Sequence, residues 1–185
     1  MIDRWAHLGH QLGECWFNKD LAYINIPKNA TSTVKGYLIA EHWQNSSTLI
    51  ECDRYFTVLR DPLQRWVSGM AQYQINSGRL DLSEEEIFDT ITFDDHTETQ
   101  SYFLTPFDLD RTVYFKCDSS LRELLEKFLN ISHYSFDDRN ISQGPHAECK
   151  HRILEMLKTN PKNLNKVMAH FAVDYKLMSS IKYYD

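Results

Sequence analysis

Twice the chain runs from a short apolar segment, through a turn marked by proline, into a segment with helical spacing. In the first unit, Leu21 to Ile26 is apolar and rich in Tyr and Ile, as a buried strand requires. Pro27 stops it, because proline has no N–H to donate to a ladder. From Thr31 onward Val34 and Leu38, with Tyr37 and Glu41, recur at helical spacing. In the second unit "RYFTVLRDP" is a strand that ends at Asp61-Pro62, and Leu63, Trp66, Val67, Met70 and Tyr73 then share one helical face. Pro62 suits the first turn of that helix and Gly78 its C-terminal cap. Further on, Ser83 and Glu86 form a capping-box pattern, "TVYFK" at 112–116 is a third strand, and "DSSLRELLEKFLNI" is an amphipathic helix that Ser120 and Glu123 can cap. Residues from His146 to Tyr184 read as two helices separated near Asn160-Pro161. Strands alternating with helices predict an α/β fold of three layers, with a mainly parallel central sheet flanked by helices. In such folds the ligand sits at the carboxyl ends of the strands.

A chain of 185 residues with 42% hydrophobic content is enough for one well-buried domain, so 1–185 is read as a single domain. Its net charge of -6 and pI near 5.7 argue against a nucleic-acid partner, which calls for an excess of Lys and Arg. No apolar run has the length of a signal peptide or of a membrane span, and the expectation is a soluble, cytoplasmic protein. Cys15, Cys52, Cys117 and Cys149 are scattered, with no CxxC pair and no Cys/His cluster at zinc-finger spacing. They read as reduced structural thiols, and no metal site is expected. A small anionic ligand is compatible with all of this, provided that the acidic chain builds a local positive pocket.

"IPKNATST" at 26–33 offers such a pocket. A tight turn into a helix exposes backbone N–H groups where the helix dipole favours negative charge, Thr31, Ser32 and Thr33 add hydroxyls, and Lys28 adds a cation. The segment is not a Walker A loop, since the glycines and the GK[ST] ending are missing and the lysine precedes the small residues. The plainer alternative is a capped helix with a solvated Lys28. At the second strand end, "VLRDPLQRWVSG" places Arg60 at the strand terminus and Ser68 about two turns into the helix. A guanidinium binds phosphate bidentately and a serine hydroxyl adds a further bond, while Arg65 either joins them or pairs with Asp61. Here the alternative is a structural Arg-Asp pair with Ser68 as a packing residue.

The two segments together resemble the sulfotransferase superfamily, whose members use 3'-phosphoadenosine 5'-phosphosulfate (PAPS). "IPKNATST" is similar to the family's 5'-phosphosulfate loop and "FTVLRDPLQRWVSG" to its 3'-phosphate motif. The likeness is greatest to the carbohydrate-sulfotransferase-like branch with its small bacterial and viral members. There a later His-x-x-x-Gln follows, here His96 to Gln100 in "DDHTETQSYFL". The resemblance covers residues 21–104 and continues weakly through "VYFKCDSSLRELLEKFLNIS". It implies a P-loop-like fold, with Lys28 on the phosphosulfate and its bridging oxygen. Asn29, Ala30, Thr31, Ser32 and Thr33 would line the 5'-phosphate loop, and Arg60 and Ser68 would hold the 3'-phosphate. His96 is the implied catalytic base, with His42 in reserve; the alternative is that His96 and Gln100 orient the substrate or pack a loop. Asn140 and Ser142, in "NISQGPH", fall where relatives contribute to the nucleotide site.

The activity so implied is transfer of a sulfuryl group from PAPS to a hydroxyl or amine, with a small molecule or carbohydrate as acceptor, the bisphosphate PAP as product and no metal. Two alternatives are a non-catalytic PAP- or PAPS-binding module and a small P-loop nucleotide or metabolite kinase. The short interval from Pro27 to Tyr55 leaves little room for acceptor-binding insertions. Either the acceptor is small, or it is a group on the surface of a larger molecule, or a homodimer supplies part of the site. Tyr73, Tyr102, Phe103 and Phe107 are candidate aromatics for stacking an acceptor.

Overall fold

The computed structural model describes residues 12–131 and 144–185. Its sheet has five strands in the order β3-β1-β2-β4-β5, from β1 (Cys15–Asn18), β2 (Leu21–Ile24), β3 (Gln44–Ser46), β4 (Arg54–Leu59) and β5 (Thr112–Lys116). The expected three strands are there, and β2, β4 and β5 run parallel. The sheet as a whole is mixed, because β1 pairs antiparallel with both β2 and β3. β1 and β2 form a hairpin whose turn, Lys19-Asp20, carries none of the Asn-Gly or Asp-Gly signals of such turns. Lys19 adopts φ 53 there without being glycine.

Residues alternate across the parallel strands and supply two apolar faces. Tyr23, Phe56, Val58 and Phe115 point to one side, where they pack with Val34 and Leu38 of α1 (Thr31–Ala40) and Leu121 and Leu125 of α5 (Leu121–Leu129). Ala22, Ile24, Tyr55, Leu59 and Tyr114 point to the other, against Phe103 and Leu104 of α4 (Gln100–Leu104) and Leu177 and Met178 of α8 (Ala172–Ser180). Each fully buried Phe or Leu contributes about 1.5–3 kcal/mol by leaving water. A third cluster joins α2 (Pro62–Ser77), α3 (Glu84–Thr90), α6 (Pro145–Thr159) and α7 (Pro161–His170) around Trp66, Met70, Phe88, Ile153 and Val167.

The expected end signals operate at α2 and α3. Asp61 caps α2 by accepting from the Gln64 N–H, Pro62 opens it, and Gly78 closes it in the left-handed region at φ 69. Ser83 and Glu86 make a complete capping box. At α5 the expectation fails: the Ser120 hydroxyl turns back to Asp118 at 2.6 Å and leaves the helix without a side-chain cap. The C-terminal region contains three helices rather than two, because the chain breaks a second time at Phe171, whose ring is buried in the third cluster. No helix among the described residues is long and apolar enough to cross a membrane. All four cysteines are free thiols.

Candidate functional site

Because β2 and β4 are parallel neighbours, the turns that follow them lie side by side. The first turn is held in an unusual backbone conformation: Lys28 has φ 68 and Ala30 φ 56, both in the left-handed region without being glycine. Such residues cost about 1–3 kcal/mol each and persist where their surroundings over-determine them. Four hydrogen bonds do so here. Thr31 Oγ1 donates to the Ile26 carbonyl at 2.8 Å, and Arg65 Nε donates to the Pro27 carbonyl at 2.9 Å. Arg60 Nη1 donates to the Lys28 carbonyl at 3.3 Å, and the buried Asn29 Nδ2 donates to the Val58 carbonyl at 2.7 Å. The turn therefore delivers the chain into α1 through an N-cap, Ala30, that has no capping side chain. The N–H groups of the first helical turn lack intrahelical acceptors.

Gln100 joins the two turns from a third element. Its Oε1 accepts from Asn29 Nδ2 at 2.6 Å and from the Arg60 N–H at 3.0 Å, while its Nε2 donates to the Arg60 carbonyl at 2.9 Å. The α4 helix that carries it is fixed by Asp174 of α8, whose carboxylate accepts from the N–H groups of Gln100 and Ser101, both at 2.8 Å. Of the two sequence readings of Gln100, packing of a loop is the one that matches: the side chain is fully buried.

The Arg65 guanidinium does not pair with Asp61, and its hydrogen bonds go to backbone carbonyls. It is fully buried and grips three carbonyls, those of Pro27, Glu98 and Asp95. Burial lowers its pKa to about 10 while Asp174, Asp95 and Asp94 oppose the shift, so it remains a cation at neutral pH. It clamps the 94–99 loop to the turn after β2. The same loop presses against α2 at Gly69, where a Cβ would run into the His96 carbonyl oxygen.

Lys28 and Arg60 are the cations that the two turns bring together, and among the described residues neither forms an ion pair. Lys28 Nζ donates to Gln72 Oε1 at 3.3 Å. Burial, then repulsion from Arg60, Lys150 and Arg65, lowers its pKa to about 8, with Asp94 pulling the other way. A lysine so placed is poised to gain from an anion. Ser68 is buried on α2, and its carbonyl lies 3.3 Å from His146 Nε2. Of the loop hydroxyls, Thr31 is engaged with Ile26, Ser32 is exposed and Thr33 is half-buried.

His96 lies between two carboxylates, with Nδ1 3.1 Å from Asp94 Oδ2 and 3.0 Å from Asp95 Oδ1. Burial alone would lower its pKa, but the hydrogen bonds and charges of Asp94 and Asp95 outweigh that and raise it to about 9. The imidazole is thus protonated at neutral pH. The ligand atoms of Asp94, Asp95 and His96 lie within 4.8 Å of one another, a set that could also take a divalent cation if the Nδ1 proton were displaced. The reserve base His42 is exposed beyond the far end of α1, about 15 Å from the turn for a ten-residue helix. Asn140 and Ser142 lie outside the described residues.

The proposed stacking aromatics are occupied elsewhere. Phe103 and Phe107 are buried in the core under the sheet, and Tyr73 packs on Phe93 with ring centroids 4.8 Å apart. Tyr102 is half-buried, edge-on to Phe103. Sequence reasoning missed Lys150, whose charge lowers the Lys28 pKa, and His146, whose own pKa Lys28 lowers. Their four-residue spacing was visible, but the docking of α6 on α2 was not.

No family model, curated protein or solved structure matches this chain. The functional reading rests on the geometry above and on the sequence resemblance.

Proposed function

We propose that this protein is a sulfotransferase that moves a sulfuryl group from PAPS to a hydroxyl or amine acceptor, a carbohydrate being the leading class. The observation that carries the reading is the contact between its two motif segments: Arg60 Nη1 donates to the Lys28 carbonyl at 3.3 Å, which sets at adjoining strand ends two cations that have no carboxylate partner among the described residues. A P-loop-like, three-layer arrangement accommodates the donor along that edge. The N–H groups of Thr31, Ser32 and Thr33, with Asn29 and Ala30 shaping the loop, face its 5'-phosphate; Arg60 and Ser68 face its 3'-phosphate.

In sulfuryl transfer an acceptor attacks sulfur in line, and charge grows on the phosphate oxygen that leaves. Lys28 supplies positive charge on that side. His96 is the candidate base acting through Nε2, and it becomes competent once that nitrogen has lost its proton. The non-catalytic binding module remains the second reading, favoured by one observation: with a pKa of about 9 the imidazole is largely protonated at neutral pH.

Calorimetric titration with adenosine 3',5'-bisphosphate, with ATP plus Mg2+ as the control ligand, tests the donor site. Arg60→Ala is expected to weaken bisphosphate binding by about 2–5 kcal/mol. No bisphosphate binding by the parent, or a preference for ATP with Mg2+, would sink the sulfotransferase reading. Lys28→Ala separates the enzyme from the binding module: it chiefly lowers turnover in the former, and there is no turnover to lower in the latter.

A further inference from the structure

α6 packs along α2, with Cys149, Ile153 and Leu157 in the same core as Trp66 and Met70 and with Arg152 Nη2 donating to Gln74 Oε1 at 3.0 Å. That docking fixes the helix start over the candidate phosphate site. His146 and Lys150 are one turn apart on α6 and so share a face. His146 Nε2 is 3.3 Å from the carbonyl of Ser68, the residue whose hydroxyl is assigned to the 3'-phosphate. We propose that α6 is the third wall of the anion site, and that His146 and Lys150 bind the same phosphate as Arg60 and Ser68. The inference rests on the reading above and adds to it a ligand pair from an element that neither sequence segment contains.

The electrostatics of the empty cluster agree with this geometry. Burial and Arg60 both hold the Lys150 pKa down. Burial and then Lys28 hold His146 down, the Ser68 carbonyl opposes them, and Lys150 and Arg60 add to the lowering. Cations kept together in a partly desolvated site repel one another, and a phosphate placed among them relieves every repulsion at once. Three cations from three places face His146: Lys28 from the turn after β2, Arg60 from the end of β4 and Lys150 from α6 itself. Their charges favour the neutral imidazole, and a phosphate dianion placed among them favours the protonated one.

Titration of the full chain with adenosine 3',5'-bisphosphate tests the wall, using Lys150→Ala, His146→Gln and Arg60→Ala. Lys150→Ala is expected to weaken binding about tenfold, as loss of a charge contact does. The parent's advantage over His146→Gln is expected to grow as pH falls from about 8 to about 6, the range in which imidazole acquires its proton. Taking the ratio to the variant cancels titration of the ligand's own phosphates. If Arg60→Ala abolishes binding while Lys150→Ala and His146→Gln bind like the parent at every pH, the donor site stands and the third wall is wrong. If the parent does not bind the bisphosphate at all, both fall together.

Discussion

Asn29 Nδ2 donates to Gln100 Oε1 at 2.6 Å, and the same oxygen accepts from the Arg60 N–H at 3.0 Å, so one buried carboxamide bridges the turns that follow β2 and β4. The bridge comes from α4, which Asp174 on α8 holds in turn, and it adds to the direct bonds from Asn29 to the Val58 carbonyl and from Arg60 to the Lys28 carbonyl.

Gln100→Leu is about isosteric; it takes one of two acceptors from Asn29 Nδ2, which keeps the Val58 carbonyl, and leaves the Arg60 N–H and carbonyl without this partner. The expected loss is about 1–3 kcal/mol of stability for each group left without a partner. It is read as a lowered urea midpoint at unchanged slope. An unchanged midpoint would mean that water or another side chain replaces the bridge.

Lys28 is expected to report anion binding as proton uptake. Its pKa lies near 8 in the folded protein against an ordinary 10.5, so the unfolded chain holds the extra proton across that window and this group's contribution to stability rises with pH there. A bound phosphate lifts the folded value back. At a pH of about 8.5 the ligand's phosphates are already fully ionised, their second pKa being near 6. Bisphosphate binding there should take up protons, measured as a dependence of the heat on buffer ionisation enthalpy. Lys28→Met should reduce the effect, leaving only the uptake by His146 and Lys150.

His96 carries the opposite sign. Its folded pKa, about 9, is raised above the ordinary 6.5, so its stabilising contribution is full below about 6.5 and is lost as pH rises through about 9. An NMR titration of the ring is expected to show a midpoint near 9, which moves down toward 6.5 in Asp94→Asn. If His96 is the base, kcat/KM rises about tenfold per pH unit up to about 8, where Lys28 begins to lose its proton. A midpoint near 6.5 in the parent would refute the carboxylate pairing.

Gly69→Ala is expected to destabilise by about 1–3 kcal/mol, the usual effect of overpacking, because the new methyl group meets the His96 carbonyl. The substitution pushes the 94–99 loop away from α2. Bisphosphate binding measured beside the thermal midpoint shows whether the loop also supports the anion site.

The parallel core was legible because strands β2, β4 and β5 are apolar runs closed by proline or charged turns, and the ends of α2 and α3 were legible from Asp61, Pro62, Gly78, Ser83 and Glu86. β1 and β3 were not: "CWFN" and "QNS" are short and carry no clear alternation, and they are strands because neighbouring backbone groups pair with them. The role of Arg65 was equally hidden, since a charged residue at a helical position ordinarily reads as exposed. It is buried because three carbonyls of the surrounding turns converge on it.

Local chemistry alone thus determined where the strands end, which residues begin the helices, and that Lys28 and Arg60 follow two strands of the same kind. Those properties depend on residues adjacent in the chain: a missing N–H, a capping side chain, a run of apolar groups. Tertiary structure decided that Lys28 and Arg60 lie at adjoining strand ends, that His96 is held by two carboxylates, and that His146 reaches the carbonyl of Ser68. Charge interactions and hydrogen bonds act through space, and the contacts that set their distances join residues far apart in the chain.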